Sequence, residues 1–231
     1  MRTTTKIILA TGAFALVHSA LASRPAKKVA ARAIGQRNFD ASYRLFFNVQ
    51  SIISFAALAI YIRKLPNRKV WDVSKPIALT FNAIRLSALF CMLQAARQIG
   101  VGRLTGVRGW TKRKNHNSTI AQMPEAQGPL LEPGSSVTGP FRYTRHPMNF
   151  LALPLIWLAP RMTNSRFAFN CFASIYFVLG SLHEEHRLRI AYDQAYEQYR
   201  GETRFFFGRK KTSAVTAVSA ELPTDAKPAL R

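Results

Sequence analysis

The stretch LFFNVQSIISFAALAIYI, residues 45–62, contains no charged side chain. A helix that crosses the hydrocarbon core of a bilayer needs about 20 mostly apolar residues, or somewhat fewer where flanking arginines reach the surface. The stretch is free of charge over nearly that length. It therefore predicts a membrane-spanning helix, and it is the clearest such prediction in the chain.

Four further apolar runs extend this interpretation along the chain. They lie at about residues 7–22, 77–93, 148–159 and 167–182, and short segments rich in Lys and Arg separate them. The pattern predicts an all-α fold, a multi-span transmembrane helical bundle. The predicted bundle has four or five spans, because the first and fourth runs are short. Only PRMTNSR separates the last two runs, which predicts a C-terminal antiparallel helical hairpin.

The charge balance points to phosphates. Thirty-three basic residues against eleven acidic ones give a formal net charge of +22. Such a charge attracts either nucleic acid or anionic lipid headgroups. The grouping of apolar residues into five runs favours lipid, and no nucleic-acid recognition motif accompanies the charge. The predicted partner is therefore the lipid bilayer, with no nucleic acid. Every loop is basic, so membrane orientation is not predicted.

The N-terminus allows two interpretations. Residues 1–25, MRTTTKIILATGAFALVHSALASRP, combine basic residues, an apolar stretch and a small-residue end typical of a signal-peptidase site. The segment is thus either a cleaved signal or a first membrane helix, and the spans that follow favour a retained helix. The next segment, residues 23–44, has basic residues and helical apolar spacing. This pattern predicts an interfacial helix.

Domain organisation follows from composition. Residues 1–210 are predicted to form one integral membrane domain. Residues 211–231 have the small and polar composition of a disordered tail. Residues 101–138 show no sustained periodicity and are predicted to be a loop. Cys91 and Cys171 are isolated within apolar runs, so they are predicted to be inert core residues.

The third apolar run contains an arginine. Asn82 and Arg85 lie within IALTFNAIRLSALFCMLQAARQIG, residues 77–100. An arginine that faces lipid is energetically costly, so Arg85 should face a protein interior, a cavity or the headgroup region. It is a candidate functional residue, with extension of its side chain to the membrane surface as the alternative.

The segment GPFRYTRHPMNF, residues 139–150, precedes the fourth run. Proline suits the first position of a helix and disfavours helical geometry in the residue before it. Pro147 should therefore begin a helix, with His146 just outside it. Arg145 and His146 then lie at a helix N-terminus, where unpaired N–H groups and the helix dipole favour an anion. Alternatively, Arg142 and Arg145 only anchor the helix to lipid phosphates.

The last run ends in GSLHEEHRLRIAYDQAYEQYRGE, residues 180–202. Glu185, Leu188, Tyr192, Tyr196 and Tyr199 follow one another at intervals of three or four, so they are predicted to share one face of a continuing helix. The adjacent carboxylates of Glu184 and Glu185 could compensate the cluster around Arg145 or bind the ammonium of a ligand. An ordinary solvated helix end is the alternative.

Two histidines in this segment raise the question of metal. His183 and His186 are three residues apart, whereas the zinc-protease pattern requires histidines four apart. No metal site is therefore predicted.

The order of these motifs resembles the membrane-embedded S-adenosylmethionine-dependent methyltransferase superfamily. That superfamily includes isoprenylcysteine carboxyl methyltransferases, phospholipid methyltransferases and bacterial methanethiol S-methyltransferases. Its signature is Arg-His-Pro, an apolar segment, a Glu-Glu pair and spaced tyrosines, and the match spans about residues 139–200. In addition, HSALASR followed by YRLFFN is similar to the N-terminal half of the methanethiol branch.

The resemblance implies a cofactor, a pocket and a reaction. The cofactor is S-adenosylmethionine, in a cytosol- or surface-exposed pocket, and the cofactor-binding part of the domain is about residues 139–200. The acceptor is a small thiol or lipophilic molecule that enters from the bilayer. His146 or Arg85 would raise the thiolate fraction of a thiol, and no catalytic residue is fixed. The cofactor-binding residues implied are Tyr143, Arg145, His146, Pro147, Glu184, Glu185, Tyr196 and Tyr199.

Three alternatives stay open. Sterol reductases share a related Arg-His-x-Asn-Tyr ending, and Asn149 keeps a membrane-embedded nicotinamide-dependent reductase in consideration. A non-catalytic basic membrane protein would bind anionic lipid. A secreted basic protein would lose residues 1–22.

Overall fold

The computed structural model describes residues 3–107 and 137–207. Within them, a 3-10 turn spans Gly139–Arg142, and β1 (Lys69–Asp72) and β2 (Arg161–Thr163) are the strands. The predicted tail and most of the predicted loop at 101–138 lie outside the described residues. The helices are α1 (Thr3–Ala22), α2 (Arg24–Ile34), α3 (Gln36–Lys64), α4 (Lys75–Ile99), α5 (Val101–Thr105), α6 (Pro147–Trp157) and α7 (Asn164–Glu202).

Three helices, α1, α3 and α4, are long and apolar enough to cross a membrane. Only 6% of the most apolar window of α3, and the same share in α4, is buried inside the protein, so these helices present their apolar side chains to lipid. The prediction of an all-helical, multi-pass integral membrane protein is confirmed. The fourth apolar run forms the shorter helix α6, of 11 residues. The fifth run lies in the first half of α7.

The long helices run alternately up and down. Ser19 near the end of α1 bonds Tyr176 of α7, and the Tyr43 hydroxyl in α3 donates to the Leu21 carbonyl at 2.8 Å. The Asn149 side chain donates a hydrogen bond to Ser181, and the Trp157 indole, later in α6, donates to Ser174, which is earlier in α7. Helices α6 and α7 are therefore antiparallel. The predicted C-terminal hairpin is therefore confirmed. We call the end with α2 and the start of α6 the head end, and the end with β1 and β2 the ribbon end.

A two-stranded antiparallel ribbon closes the end opposite the head. Lys69 pairs with Thr163, and Asp72 pairs with Arg161. The ribbon joins the connection between α3 and α4 to the loop between α6 and α7. The sequence did not predict this pairing. Pairing between segments so far apart leaves no local periodicity, and strands of three or four residues are too short to show alternation.

The helix after α1 begins with a side-chain cap. The Ser23 hydroxyl accepts a hydrogen bond from the Ala26 amide at 3.4 Å, Pro25 lies in the first turn, and Gly35 follows the last residue with φ +79°. Serine at the cap, proline in the first turn and glycine after the end are typical helix boundaries. The predicted helix is confirmed as α2, and none of its residues is buried.

Helix α6 ends inside the protein, where its last carbonyl groups need partners. Arg85 donates from Nε to the Leu155 carbonyl at 3.2 Å, and Asn170 donates to the Ile156 carbonyl at 2.8 Å. The Trp71 indole donates to the Ala159 carbonyl at 3.2 Å. Arg85 thus bonds another helix inside the protein, which is one of the locations expected from the sequence, and it lies ten residues after the start of α4.

Helix α7 is broken near its C-terminus. Asp193 has φ +39° and ψ −111°, which is outside helical geometry. The prediction of one continuous helical face from Glu185 to Tyr199 is therefore wrong, because the residues after Asp193 have a new direction. Leu188, Tyr196 and Tyr199 nevertheless pack in one buried cluster.

The two cysteines are only partly consistent with a core location. Both are free thiols, Cys91 is half-buried, and Cys171 is exposed on the surface of α7. The prediction of core residues is wrong for Cys171. An apolar run in a membrane helix has a lipid-facing side, and sequence alone does not separate that side from the core.

Candidate functional site

The head end is built around the start of α6. Pro147 is the first residue of this helix, and His146 is its N-cap with φ −126° and ψ 59°, as the sequence predicted. The preceding 3-10 turn places the Phe141 side chain in a buried cluster with Ala95 and Ile99. These contacts fix the position of the segment that carries Arg145 and His146 relative to α4.

Arg145 is buried, and its guanidinium forms hydrogen bonds to other residues of the protein. Its side chain is 7% exposed, and Nε donates to Oε1 of Glu185 at 2.8 Å. Nη1 donates to the carbonyls of Arg200 and Thr203. The Arg145 amide donates to the Arg204 carbonyl at 3.0 Å. The anion expected at this helix end is therefore the carboxylate of Glu185, which is the compensating role considered for the glutamate pair.

His146 lies between two carboxylates. Its side chain is fully buried, with Nδ1 3.3 Å from Oε2 of Glu184 and Nε2 3.1 Å from Oε1 of Glu185. Only the protonated imidazolium can donate from both ring nitrogens. Burial acts to lower the pKa of His146, but the hydrogen bonds and charges of Glu184 and Glu185 outweigh it and raise the pKa above 6.5. A protonated ring has no lone pair for use as a general base.

Glu185 is held in its ionised form. Burial acts to raise its pKa, and the hydrogen bonds and charges of His146 and Arg145 lower it to about 2. Together with Glu184 these residues form a group of two basic and two acidic side chains. We call Arg145, His146, Glu184 and Glu185 the charged cluster.

The predicted tyrosines lie behind the charged cluster or away from it. Tyr199 is buried and donates from its hydroxyl to the Phe141 carbonyl at 2.9 Å. Tyr196 is fully buried near Glu185, and burial raises the pKa of both phenols above 10, so both are neutral. Tyr143 is 60% exposed and lies on the surface.

The segment after α7 covers one side of the cluster. The Thr144 hydroxyl donates to the Phe205 carbonyl at 2.9 Å, and the rings of His146 and Phe205 lie 4.9 Å apart. Phe206 packs against Phe150 of α6 at 5.8 Å. The RFFF sequence, residues 204–207, thus covers one side of the site.

A cavity of about 350 Å³ opens on the other side of His146. Helices α1, α6 and α7 form its walls. This volume lies in the range of about 300–1,000 Å³ that is typical of small-molecule sites. The polar groups that line it include His18, Ser19, Asn149, Tyr176, Glu184 and Arg187.

Glu184 links the charged cluster to the cavity. Its side chain is 12% exposed, and Oε2 is held by His146. Its other oxygen, Oε1, is buried and has no hydrogen-bond partner among the residues that the structure describes. Buried carboxylate oxygens are normally hydrogen-bonded, so Oε1 has an acceptor capacity that no described residue uses.

The structure divides the residues predicted for the site into three groups. His146, Pro147 and Glu184 line the cavity. Arg145, Glu185, Tyr196 and Tyr199 lie behind its wall, and Tyr143 is on the surface. Arg85, the other catalytic candidate, bonds Leu155 near the opposite end of α6, about 12 Å along the helix from Pro147.

The sequence interpretation missed much of the cavity wall. His18 and Ser19 come from α1, within the HSALASR motif that was singled out only for its resemblance. Tyr176, Gly180, Glu184 and Arg187 are spaced by four, four and three residues, so they share one face of α7. That spacing was available in the sequence. The sequence did not show which face of α7 packs against α1.

No metal site is described at the head end. Across residues 3–107 and 137–207, no group of three or more His, Cys, Asp and Glu side chains is placed to hold a metal ion.

A family model described as NnrU protein matches residues 6–187. The match extends from α1 to Arg187 and so includes the three longest apolar helices, the charged cluster and the cavity wall. No curated protein and no solved structure matches the chain.

Proposed function

Starting from the NnrU family, to which the chain belongs, we propose that this integral membrane protein is an S-adenosylmethionine-dependent methyltransferase. Its acceptor would be a small thiol or a lipophilic molecule. The observation that carries the proposal is the head-end cavity, where a buried carboxylate oxygen, a guanidinium and aromatic side chains line one volume.

The residues present fit the chemical groups of this cofactor. Glu184 Oε1 is an acceptor suited to an ammonium, and Arg187, one turn further along α7, is suited to a carboxylate. Phe141, Tyr176 and Phe177 supply an aromatic wall suited to an adenine ring. The sequence predicted an anion site at Arg145, but the Arg145 guanidinium is bonded to Glu185, so Arg187 takes the carboxylate-binding role in the proposal.

The charged cluster would act by positioning. When bound, the cofactor supplies an electrophilic methyl group, so the protein chiefly has to align the reactants and exclude water. Arg145 and His146 hold Glu185, and His146 also holds Oε2 of Glu184. This chain of contacts leaves Oε1 of Glu184 as the oxygen available to a ligand.

The acceptor would reach the cavity from the bilayer. Ser19 and Tyr176 line the cavity where α1 meets α7, and their hydroxyls lie 2.9 Å apart at an exposed position. Leu16 of α1 and Leu179 of α7, near this seam, are exposed apolar residues that face lipid. A lipophilic molecule can therefore approach the seam without leaving an apolar environment.

The test is equilibrium binding of S-adenosylmethionine to the full chain in detergent, with a variant that fills the cavity. A Cβ at Gly180 meets no atom within 4 Å, so Gly180→Leu adds volume to the cavity wall without a backbone clash. Gly201 in the same helix is equally open and lies outside the cavity, so Gly201→Leu is the matched control. We expect saturable binding by the wild type and the control, weakened at least about tenfold in Gly180→Leu, a loss of about 1.4 kcal/mol.

Two further arms separate the alternatives. Glu184→Gln removes the charge that would bind an ammonium and should weaken binding of the cofactor. NADPH, offered in parallel, should not bind. Failure of the folded wild type to bind S-adenosylmethionine would refute the cofactor assignment. NADPH binding that Gly180→Leu abolishes would favour the reductase instead.

A further inference from the structure

We propose that α2 is a docking surface for the anionic phospholipid headgroups of the leaflet at the head end. This inference is independent of the methyltransferase proposal, because α2 does not line the cavity. It begins from three basic residues, Arg24, Lys28 and Arg32, spaced by four. At this spacing they lie on one side of the helix, and all three are exposed.

An exposed apolar strip runs beside these cations. Pro25, Val29 and Ala33 follow each basic residue by one position and are also exposed, with Val29 at 64%. Ala26 and Ala30 lie on another side of α2 and are half-buried, while α2 packs against α1 and α3. The outward half of α2 thus has adjacent cationic and apolar strips, the pattern of a helix that lies in a membrane interface.

The side chains of Arg24, Lys28 and Arg32 do not pair with other groups in the described part of the protein. No ion pair or hydrogen bond of their side chains is present among residues 3–107 and 137–207. The nearest acidic residue in sequence is Asp40, whose carboxylate accepts a hydrogen bond from Gln36 at 2.8 Å. Their positive charge is therefore available to an anionic partner outside the chain.

The location of α2 decides which partner this is. Only Ser23 separates α2 from the end of α1, and only Gly35 separates it from α3; both α1 and α3 are long enough to cross the membrane. The connection therefore places α2 at the level of the headgroups. Anionic lipid matches both strips, since its phosphate pairs with the cations and its acyl region receives Val29.

The experiment is hydrogen–deuterium exchange on the full chain in nanodiscs of phosphatidylcholine, with or without phosphatidylglycerol. We expect the amides of α2 to exchange at least about fivefold more slowly when the anionic lipid is present, the contribution of about one basic residue at such a surface. The variant Arg24→Gln/Lys28→Gln/Arg32→Gln should lose this slowing. The matched control Arg63→Gln/Lys64→Gln/Arg68→Gln removes the same amount of charge from exposed positions at the ribbon end. In this control the anionic lipid should still slow the exchange of α2.

Three results would overturn the proposal. One is equal exchange of α2 in the two lipid compositions, and another is a lipid effect that survives in the α2 variant. The third is slowing by inorganic phosphate in phosphatidylcholine discs, which would show a site for free anions rather than a lipid surface. Unchanged exchange of α3 in every variant verifies that the bundle is folded.

Discussion

At the scale of single residues, the contact that organises the head end joins Arg145 to Glu185 across 40 positions of sequence. Both side chains are buried, and Glu185 also holds His146. In such an environment the removal of one partner leaves the other charge without compensation, which costs far more than the pair contributes when intact.

We therefore expect Glu185→Gln to destabilise the protein by about 3–5 kcal/mol. The measurement is thermal unfolding of the purified chain in a neutral detergent. The control is Glu197→Gln, because Glu197 is about half exposed and its pairs with Arg189 and Arg200 lie at the surface. Surface pairs contribute about 0–1 kcal/mol, so the control should melt close to the wild type. Equal melting of the two variants would contradict this account of the charged cluster.

The charged cluster also predicts how stability depends on pH. The pKa of His146 is raised above 6.5, so its stabilising charge is fully present below pH 6.5 and is lost as the pH rises through the raised pKa. The pKa of Glu185 is lowered to about 2, so its contribution is present above its unfolded value of 4.5 and is lost as the pH falls toward 2. Stability should therefore decline on both sides of a mildly acidic plateau.

The alkaline limb of this profile can be assigned to one residue. Melting temperatures from about pH 5 to about pH 9 should fall at the alkaline end in the wild type. In His146→Gln that fall should be smaller, because the variant has no proton to lose at this position. His186→Gln is the comparison, since His186 lies next to Glu185 in α7 but outside the charged cluster. An alkaline fall of the same size in both variants would show that another group titrates there.

At the scale of elements, α6 is a short helix whose C-terminal carbonyls are bonded by side chains from other elements. Arg85 supplies one of these bonds from α4, across 70 positions of sequence. This explains an arginine in an otherwise apolar run without a catalytic role. It also places Arg85 at the opposite end of α6 from the cavity.

The capping role of Arg85 predicts a stability effect without an effect on ligand binding. Arg85→Met keeps much of the apolar stem but leaves the Leu155 carbonyl without this donor, at a cost of about 1–3 kcal/mol. The melting temperature should fall, while the affinity for whichever ligand the head-end cavity binds should not change. Asn82→Ala is the control, because Asn82 is exposed and its side chain accepts a hydrogen bond from the Arg85 guanidinium at 3.1 Å. Loss of ligand affinity at an unchanged melting temperature would instead return Arg85 to the functional candidates.

At the scale of the whole molecule, the alternation of the long helices puts the head and ribbon ends on opposite membrane faces. The prediction is tested with single cysteines, after Cys91 and Cys171 have both been replaced by Ala. Lys28→Cys lies in α2 at the head end, and Lys69→Cys lies in β1 at the ribbon end; both positions are exposed. In sealed vesicles of uniform orientation, a charged impermeant thiol reagent should label only one of the two.

Permeabilised vesicles supply the control, since both cysteines should then react. Labelling of both positions in intact vesicles would contradict the arrangement of the bundle across the membrane. The result also fixes the orientation, which the basic loops leave open.

Three of the four or five predicted spans, their helical state and the start of α6 were determined by the sequence alone. The reason is local: a long apolar run in lipid must satisfy every backbone N–H and C=O within itself, and only a helix does so. Pro147 and the capping residues Ser23 and Gly35 act on their immediate neighbours, so their effects also appear in sequence.

Only the tertiary structure decided what the functional candidates contact. Arg145 meets Glu185 rather than a ligand, Arg85 caps α6, and Ser19 meets Tyr176 across 157 positions. These contacts depend on which helix faces pack together, and lipid-facing and protein-facing sides of a membrane helix are both apolar. The break at Asp193 is likewise a tertiary outcome, because residues 185–199 carry unbroken helical spacing. The cavity exists only where α1, α6 and α7 meet, and no single segment encodes it.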